Sequence, residues 1–208
     1  MASGFHKPGR TKNSLHILAG KYKGTKLASP NLKTTHPMGS REKLALFNML
    51  APYLEGAKVL DYFAGSGALG LEALSRGASE VVFCENNRKA QKVIDSNIQQ
   101  IGDLRRADEG WSENGVPPEK CFSEGKNFLG VNFRDRTPNH PRGTSQFAII
   151  ISDPPYDDYQ VPDYASLLAP GGILALSHPS SFDPRTISGL TLLKTNSYAA
   201  CNISLFTK

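Results

Sequence analysis

Only three cysteines, Cys84, Cys121 and Cys201, occur in the 208 residues, and no two are near neighbours. Paired thiols at Cys-x-x-Cys spacing are therefore missing, and the five histidines show no ligand spacing either, so no metal is expected. An odd number of isolated thiols fits a reducing compartment better than a disulfide scaffold. No stretch approaches the roughly 20 apolar residues of a membrane span. The start is polar and basic and has no apolar export core. A cytoplasmic location, no membrane partner and a monomer are expected. The chain also lacks a Lys-Ser/Thr pair after its glycine cluster, which excludes a P-loop. No internal repeat is visible.

Charge is present but unevenly placed. Residues 1–50 carry nine Lys/Arg against Glu42 alone, a net of +8 that leaves −3 for the rest of a chain whose total is +5. A basic arm on a mildly acidic body suits an arm that touches phosphates and a body that binds something cationic. Residues 1–50 are expected to form an RNA-binding extension and residues 51–208 the main domain. Residues 1–12 are expected to be a solvated tail.

Two motifs carry the chemistry. The apolar run from Phe147 to Ser152 ends in Asp153-Pro154-Pro155-Tyr156. Two prolines cannot continue a ladder, so this strand stops there and presents its last residues at the carboxyl edge, where open α/β sheets bind ligands. A carboxylate, a proline carbonyl and an aromatic face together suit a flat group bearing an amine. Earlier, residues 59–63 read as a strand, followed by Ala64-Gly65-Ser66-Gly67-Ala68-Leu69-Gly70 and a helix closed by Gly77. Strand, glycine turn and helix make a nucleotide cradle. Glu85, at the end of a second strand, is placed to accept from ribose hydroxyls. Asp61 selects among nucleotides: it would repel a pyrophosphate and suits a ligand with a positive end. S-adenosylmethionine has a ribose, no phosphate, an ammonium and a sulfonium.

These residues resemble the bacterial 16S ribosomal RNA guanine-N2 methyltransferases. The similarity runs from Leu60 through Ala78 and includes 19–27 at the amino end, the segment from His36-Pro37 to Asn48, and Asp153 to Tyr156. It implies a class I methyltransferase fold, S-adenosylmethionine as donor, and a guanine of 16S rRNA, free or in an assembling small-subunit particle, as acceptor. By the same resemblance Asp61, Phe63, Ala64, Gly65, Ser66 and Gly67 hold the methionyl part, while Glu85 and Asn86 hold the ribose. Asp153, Pro154, Pro155 and Tyr156 hold the target base, with Asp153 also close to the donor. Glu124-Gly125 stands where the family has Asp-Ala, which implies a contact to the adenine amine. Lys21, Lys23, Lys26, His36, Arg41 and Lys43 are the RNA candidates. The chain departs from the family at His36-Pro37-Met38, where Arg-Pro-Thr is usual, and at Ser177-His178, where an acidic residue is common.

The fold class expected is α/β: a mostly parallel twisted sheet with helices on both faces, a carboxyl-terminal antiparallel hairpin and a small basic amino-terminal hairpin and helix. Residues 15–18 and 25–27 would form that first hairpin. Ser40 would cap a helix to Leu50 with Leu44, Phe47 and Leu50 on one face. Strand 80–84 and helix 87–101 complete a second βα unit. Residues 102–146, rich in Gly, Pro and Asn, read as irregular chain around one weak strand. Strands 147–152 and 172–177 follow, then a hairpin of 190–194 with 201–206. Other readings remain: an amino-group methyltransferase for DNA adenine or protein glutamine, a non-catalytic RNA-binding assembly factor, and a dinucleotide oxidoreductase.

Overall fold

The computed structural model of the chain describes residues 15–30, 38–102, 105–106, 129–134, 146–156 and 161–208. Four largely apolar runs build the centre: β1 (Lys58–Tyr62), β2 (Glu80–Glu85), β5 (Phe147–Ser152) and β6 (Leu168–His178). They lie parallel in the order β2-β1-β5-β6, with Leu60 facing Val82 on one side and Ile150 on the other. Parallel strands need crossovers, which α2 (Ala68–Ser75) supplies between β1 and β2. Helix α3 (Arg88–Ile101) leaves β2, its start capped by the Asn87 side chain accepting from the amides of Lys89 and Ala90.

Antiparallel strands flank this centre. β8 (Asn202–Thr207) pairs with β6 and β7 (Thr191–Ser197) pairs with β8, which is the expected terminal hairpin with its second strand innermost. On the opposite flank, β4 (Leu129–Arg134) runs antiparallel to β2, and β3 (Arg105–Arg106) antiparallel to β4. The eight strands thus run β3-β4-β2-β1-β5-β6-β8-β7. Parallel pairing is confined to the four central strands, so "mostly parallel" holds for the centre only. Two strands, not one, come from the irregular stretch. β3 keeps the direction of β2, as a βα-strand crossover dictates, but β4 has inserted between them.

Each face of the sheet has its own core. Val59, Val81, Phe83, Ile149 and Ile151 point to the side covered by α2, α3 and α1 (Ser40–Leu50). Leu60, Val82, Ile150, Leu174 and Leu176 point to the other, under the short helix α4 (Tyr164–Leu167). The alternation is the two-residue period of a strand. The small amino-terminal hairpin is present: His16 bridges Lys26, and its Ile17, Tyr22 and Leu27 are buried in the same cluster as the first sheet face.

Helix α1 differs from expectation in its cap and its face. Gly39 is its N-cap, without a side-chain bond, and Ser40 is its first turn. Its buried residues are Lys43, Leu46, Phe47 and Leu50, whereas Leu44 is 45 % exposed. The helix is turned by one residue because Lys43 is drawn inward. Its ammonium lies 3.2 Å from the Glu72 carboxylate and donates to the His16 carbonyl at 2.7 Å.

Glu72, on α2, is itself fully buried. It accepts from the amides of Leu18 (2.7 Å) and Ala19 (3.0 Å) and from Arg76 Nε (2.7 Å), besides Lys43. Ser75 next to it donates to the Ala19 carbonyl and accepts from the Tyr22 amide. Removing one member of a buried ionic cluster leaves the others desolvated and unpaired, at a cost of about 3–5 kcal/mol. Glu72→Ala is therefore expected to lower unfolding free energy by about that amount in a urea titration, and to expose Tyr22 to solvent.

Candidate active site

The carboxyl ends of β1, β2 and β5 lie side by side, and each ends in an acid: Asp61, Glu85 and Asp153. The chain leaves β1 through a tight turn. Phe63 has φ of 65°, a left-handed conformation that is strained for a residue with a Cβ, by about 1–3 kcal/mol. Gly65 and Gly67 follow with φ of 56° and 76°, where glycine has no such strain, and Gly67 opens α2. Strain on one aromatic residue inside a glycine turn marks a place shaped for a ligand rather than for stability. Gly70 is needed for a different reason: a Cβ there would stand 2.3 Å from the Phe83 ring, so the first turn of α2 can lie directly on β2 only without one.

The turn is fastened on all sides. The Ala64 amide donates to Cys84, the Gly67 amide to Ala64, and the Gly65 amide to the Glu85 carboxylate at 2.7 Å. Glu85 also accepts from the Asn87 amide at 2.8 Å. Behind the turn, fully buried Asn97 of α3 donates to the Ser66 carbonyl (2.9 Å) and exchanges two bonds with the backbone of Ala28. Asn97 thereby ties the segment after the first hairpin to the glycine turn. Sequence reading missed it, although a polar residue between Ile94 and Ile98 on the apolar face of α3 is its signal.

Asp61 is almost fully buried, and one of its oxygens accepts from the Gly70 amide at 2.8 Å. The other is buried without a hydrogen-bond partner among the described residues. Burial pushes its carboxyl up to about 8, against the pull of the Gly70 amide and with help from the charges of Asp153 and Glu85. Burial likewise raises Asp153, to about 6, opposed by a hydrogen bond from Ser177. Glu85 is raised by burial and held back by the amides of Asn87, Gly65 and Asn86. Three acids in one poorly solvated place repel one another, and a cationic group among them would relieve all three.

At the β5 end, Pro154 is buried, Pro155 exposed, and Tyr156 is 36 % exposed. The Tyr156 hydroxyl lies 2.5 Å from that of Ser177 on β6, which leaves the ring's position defined and part of its surface open. Among the donor candidates, Phe63 and Gly65 are partly buried, Ala64, Ser66 and Gly67 buried, and Asn86 exposed beside Glu85. Of the RNA candidates, Lys21, Lys23, Lys26 and Arg41 are exposed. Lys43 is not available to RNA: its ammonium is enclosed by Glu72 and the His16 carbonyl. His36, Glu124 and Gly125 lie outside the described residues. Among the described residues no group of side chains is arranged to hold a metal, and no helix is long and apolar enough to cross a membrane.

Comparison with known proteins adds four findings. The profile of the family described as conserved hypothetical protein 95 matches residues 15–115. The ribosomal RNA small subunit methyltransferase D of Haemophilus influenzae is 33 % identical over 145 residues, a match spanning 70 % of this chain and 65 % of that protein. Among solved structures, the YhhF protein of Escherichia coli superposes with a TM-score of 0.66 at 23 % identity, over 94 % of this chain and 98 % of the other. A Thermus thermophilus 16S rRNA N2 G1207 methyltransferase, solved with AdoMet and guanosine, shares the fold with a TM-score of 0.52 at 19 % identity. That match covers 84 % of this chain and 44 % of the other. The class I, Rossmann-like methyltransferase fold expected from the sequence is the fold observed.

The raised acids make stability depend on pH in a definite direction. Asp61, with an ordinary value of 3.8 and about 8 when folded, favours the folded state while protonated, and that contribution is lost as pH rises toward 8. Asp153 acts in the same sense up to about 6. The melting temperature of the free protein should therefore fall between pH 6 and 8, and Asp61→Asn should flatten that fall in a calorimetric series.

Proposed function

We propose that this chain, which matches the profile of the family described as conserved hypothetical protein 95 over residues 15–115, moves a methyl group from S-adenosylmethionine to the exocyclic N2 amine of a guanine in 16S rRNA. The observation that carries this reading is the adjacency of two dissimilar sites on neighbouring strand ends. One is the glycine turn with its half-unpartnered Asp61; the other is Asp153-Pro154-Pro155-Tyr156 with a partly open aromatic ring. The similarity to an rRNA methyltransferase and the shared fold with a guanine-N2 enzyme support it.

The residues present suit the donor. Asp61 offers a buried oxygen lacking a partner, which matches an ammonium or sulfonium and not a phosphate. Glu85 has acceptor capacity left beside its two amide bonds, enough for ribose hydroxyls. A Cβ at Gly65 would point into open space, so the turn leaves room on that side. Bound S-adenosylmethionine supplies a methyl group on a sulfonium that needs no further activation.

The chain's own part is then placement. A guanine amine is a poor nucleophile because its lone pair is delocalised into the ring. Asp153 and the Pro154 carbonyl accept its hydrogens and turn the lone pair toward the donor, while Tyr156 stacks on the base and fixes its plane. Near neutral pH Asp153 is mostly ionised, as an acceptor must be. Orientation of this kind is worth up to roughly 7–11 kcal/mol. The base has to be unpaired or extruded to reach Tyr156. Residues 1–50 serve as the RNA-holding extension, with Lys21, Lys23, Lys26 and Arg41 on the phosphates.

Asp153→Ala is expected to abolish methyl incorporation into unmodified small-subunit rRNA or particles, while donor affinity by calorimetry stays within a few-fold. A variant that merely weakens donor binding and keeps its saturated rate would overturn the role given to Asp153. If four phosphates are neutralised, RNA affinity should fall with a log–log salt slope of about −3. Lys23→Glu combined with Lys26→Glu should make that slope shallower and leave donor affinity alone.

A further inference from the structure

Ser177 belongs to no motif that led to the proposed reaction, yet it sits between the two groups that would receive the base. Ser152 on β5 faces Leu176 on β6, so one step further out Asp153 and Ser177 stand opposite each other. Ser177 is 2 % exposed. Its hydroxyl is 2.5 Å from the Tyr156 hydroxyl, and Ser177 is the side chain that draws the Asp153 carboxyl down against the effect of burial. Counting hydrogens fixes the direction of both bonds. An ionised carboxylate only accepts, so Ser177 donates its single hydrogen to Asp153, and Tyr156 must donate to Ser177. The order is Tyr156 to Ser177 to Asp153.

We infer that Ser177 is a positioning residue of the transfer site, clasping Asp153 and Tyr156 in one hydrogen-bonded row so that carboxylate and aromatic ring meet the acceptor base together. The inference rests on the reading proposed above. With Ser177 as one donor the Asp153 carboxylate keeps lone pairs for the target amine, while the phenol is held by its hydroxyl. Cys201, in the turn before β8, adjoins this row, and Ser177 and Tyr156 both act on its thiol. Its thiol is pushed up by burial, so it stays protonated and fills the back of the row rather than acting as a nucleophile. The charged and titratable groups around this row are Asp61 from the end of β1, with Glu85 beside it on β2, Cys201 from the β7–β8 turn, and Glu42 of α1 acting on Cys201.

The test compares the full chain with Ser177→Ala and Ser177→Thr. Ser177→Ala should lower kcat by about 10- to 100-fold on unmodified small-subunit particles, since a misplaced acceptor costs on that order. Its donor affinity should stay within a few-fold of the wild type. Losing the Ser177 donor removes what holds the Asp153 carboxyl down, so the acid limb of the rate profile should move to higher pH. The Asp153 carboxyl resonance of the free protein should titrate at higher pH too. Ser177→Thr, which keeps the hydroxyl, should restore most of the rate and return both midpoints. A folded Ser177→Ala with unchanged kcat, or one whose Asp153 titration does not move, overturns the inference even though the wild type methylates. A wild type that methylates neither rRNA nor particles overturns the underlying reading instead.

Discussion

A single buried carboxylate, Glu72, holds three remote parts of the chain in register. Its oxygens collect two amides from the amino-terminal hairpin, the ammonium of Lys43 from α1 and the guanidinium of Arg76 from its own helix. An acid this deeply enclosed is tolerable only with that full set of donors, so hairpin, α1 and α2 are fixed together or not at all. The consequence reaches the site, because α2 begins at the glycine turn and its Gly70 amide binds Asp61. The basic surface of residues 15–30 and 38–50 and the glycine turn are therefore parts of one arrangement, joined a second time through Asn97.

The edge of the sheet combines strain and unrelieved charge. Phe63 holds a left-handed backbone, Asp61 has a buried oxygen with no partner among the described residues, and Asp61, Glu85 and Asp153 share a poorly solvated place. None of this helps the free protein fold. The unpartnered Asp61 oxygen and the crowding of the three acids, though not the Phe63 backbone, would be relieved by a positively charged ligand, which would give such a ligand a preference over a neutral one of the same shape. On the proposed reading the donor's sulfur loses its positive charge when it reacts, so the same arrangement would favour the substrate over the spent product.

Much of this was legible in the sequence, for identifiable reasons. β1 and β5 are apolar runs ended by glycine or proline, β2 is an apolar run ended at Glu85-Asn86-Asn87, and both the parallel centre and the two motifs follow from that. The terminal hairpin shows in alternation, although nothing in its pattern says that β8 rather than β7 lies innermost. What was not legible depends on partners far away in sequence. Lys43 counts as a surface cation in any tally of charge, and only the position of Glu72 turns it inward and rotates the face of α1. Ser177 acquires its role from the register of β6 against β5, and Asn97 from a backbone segment 69 residues away. β3 is two residues long and β4 carries Gly130 and Asn132, too little periodicity for more than the one weak strand that was expected there.

The bridge made by Asn97 also limits how this chain can change length. Helix residues advance by about 100° each, so one residue added or lost between Asn87 and Asn97 would swing the amide away from both Ala28 and Ser66. Eleven consecutive positions are thus locked in number as well as in kind, from the cap of α3 to the bridge. Past Gly102 that constraint ends, and it is there that the chain carries its long polar stretch before β5. Insertions can accumulate beyond the bridge without disturbing the turn, while the segment before it has to be inherited at fixed length.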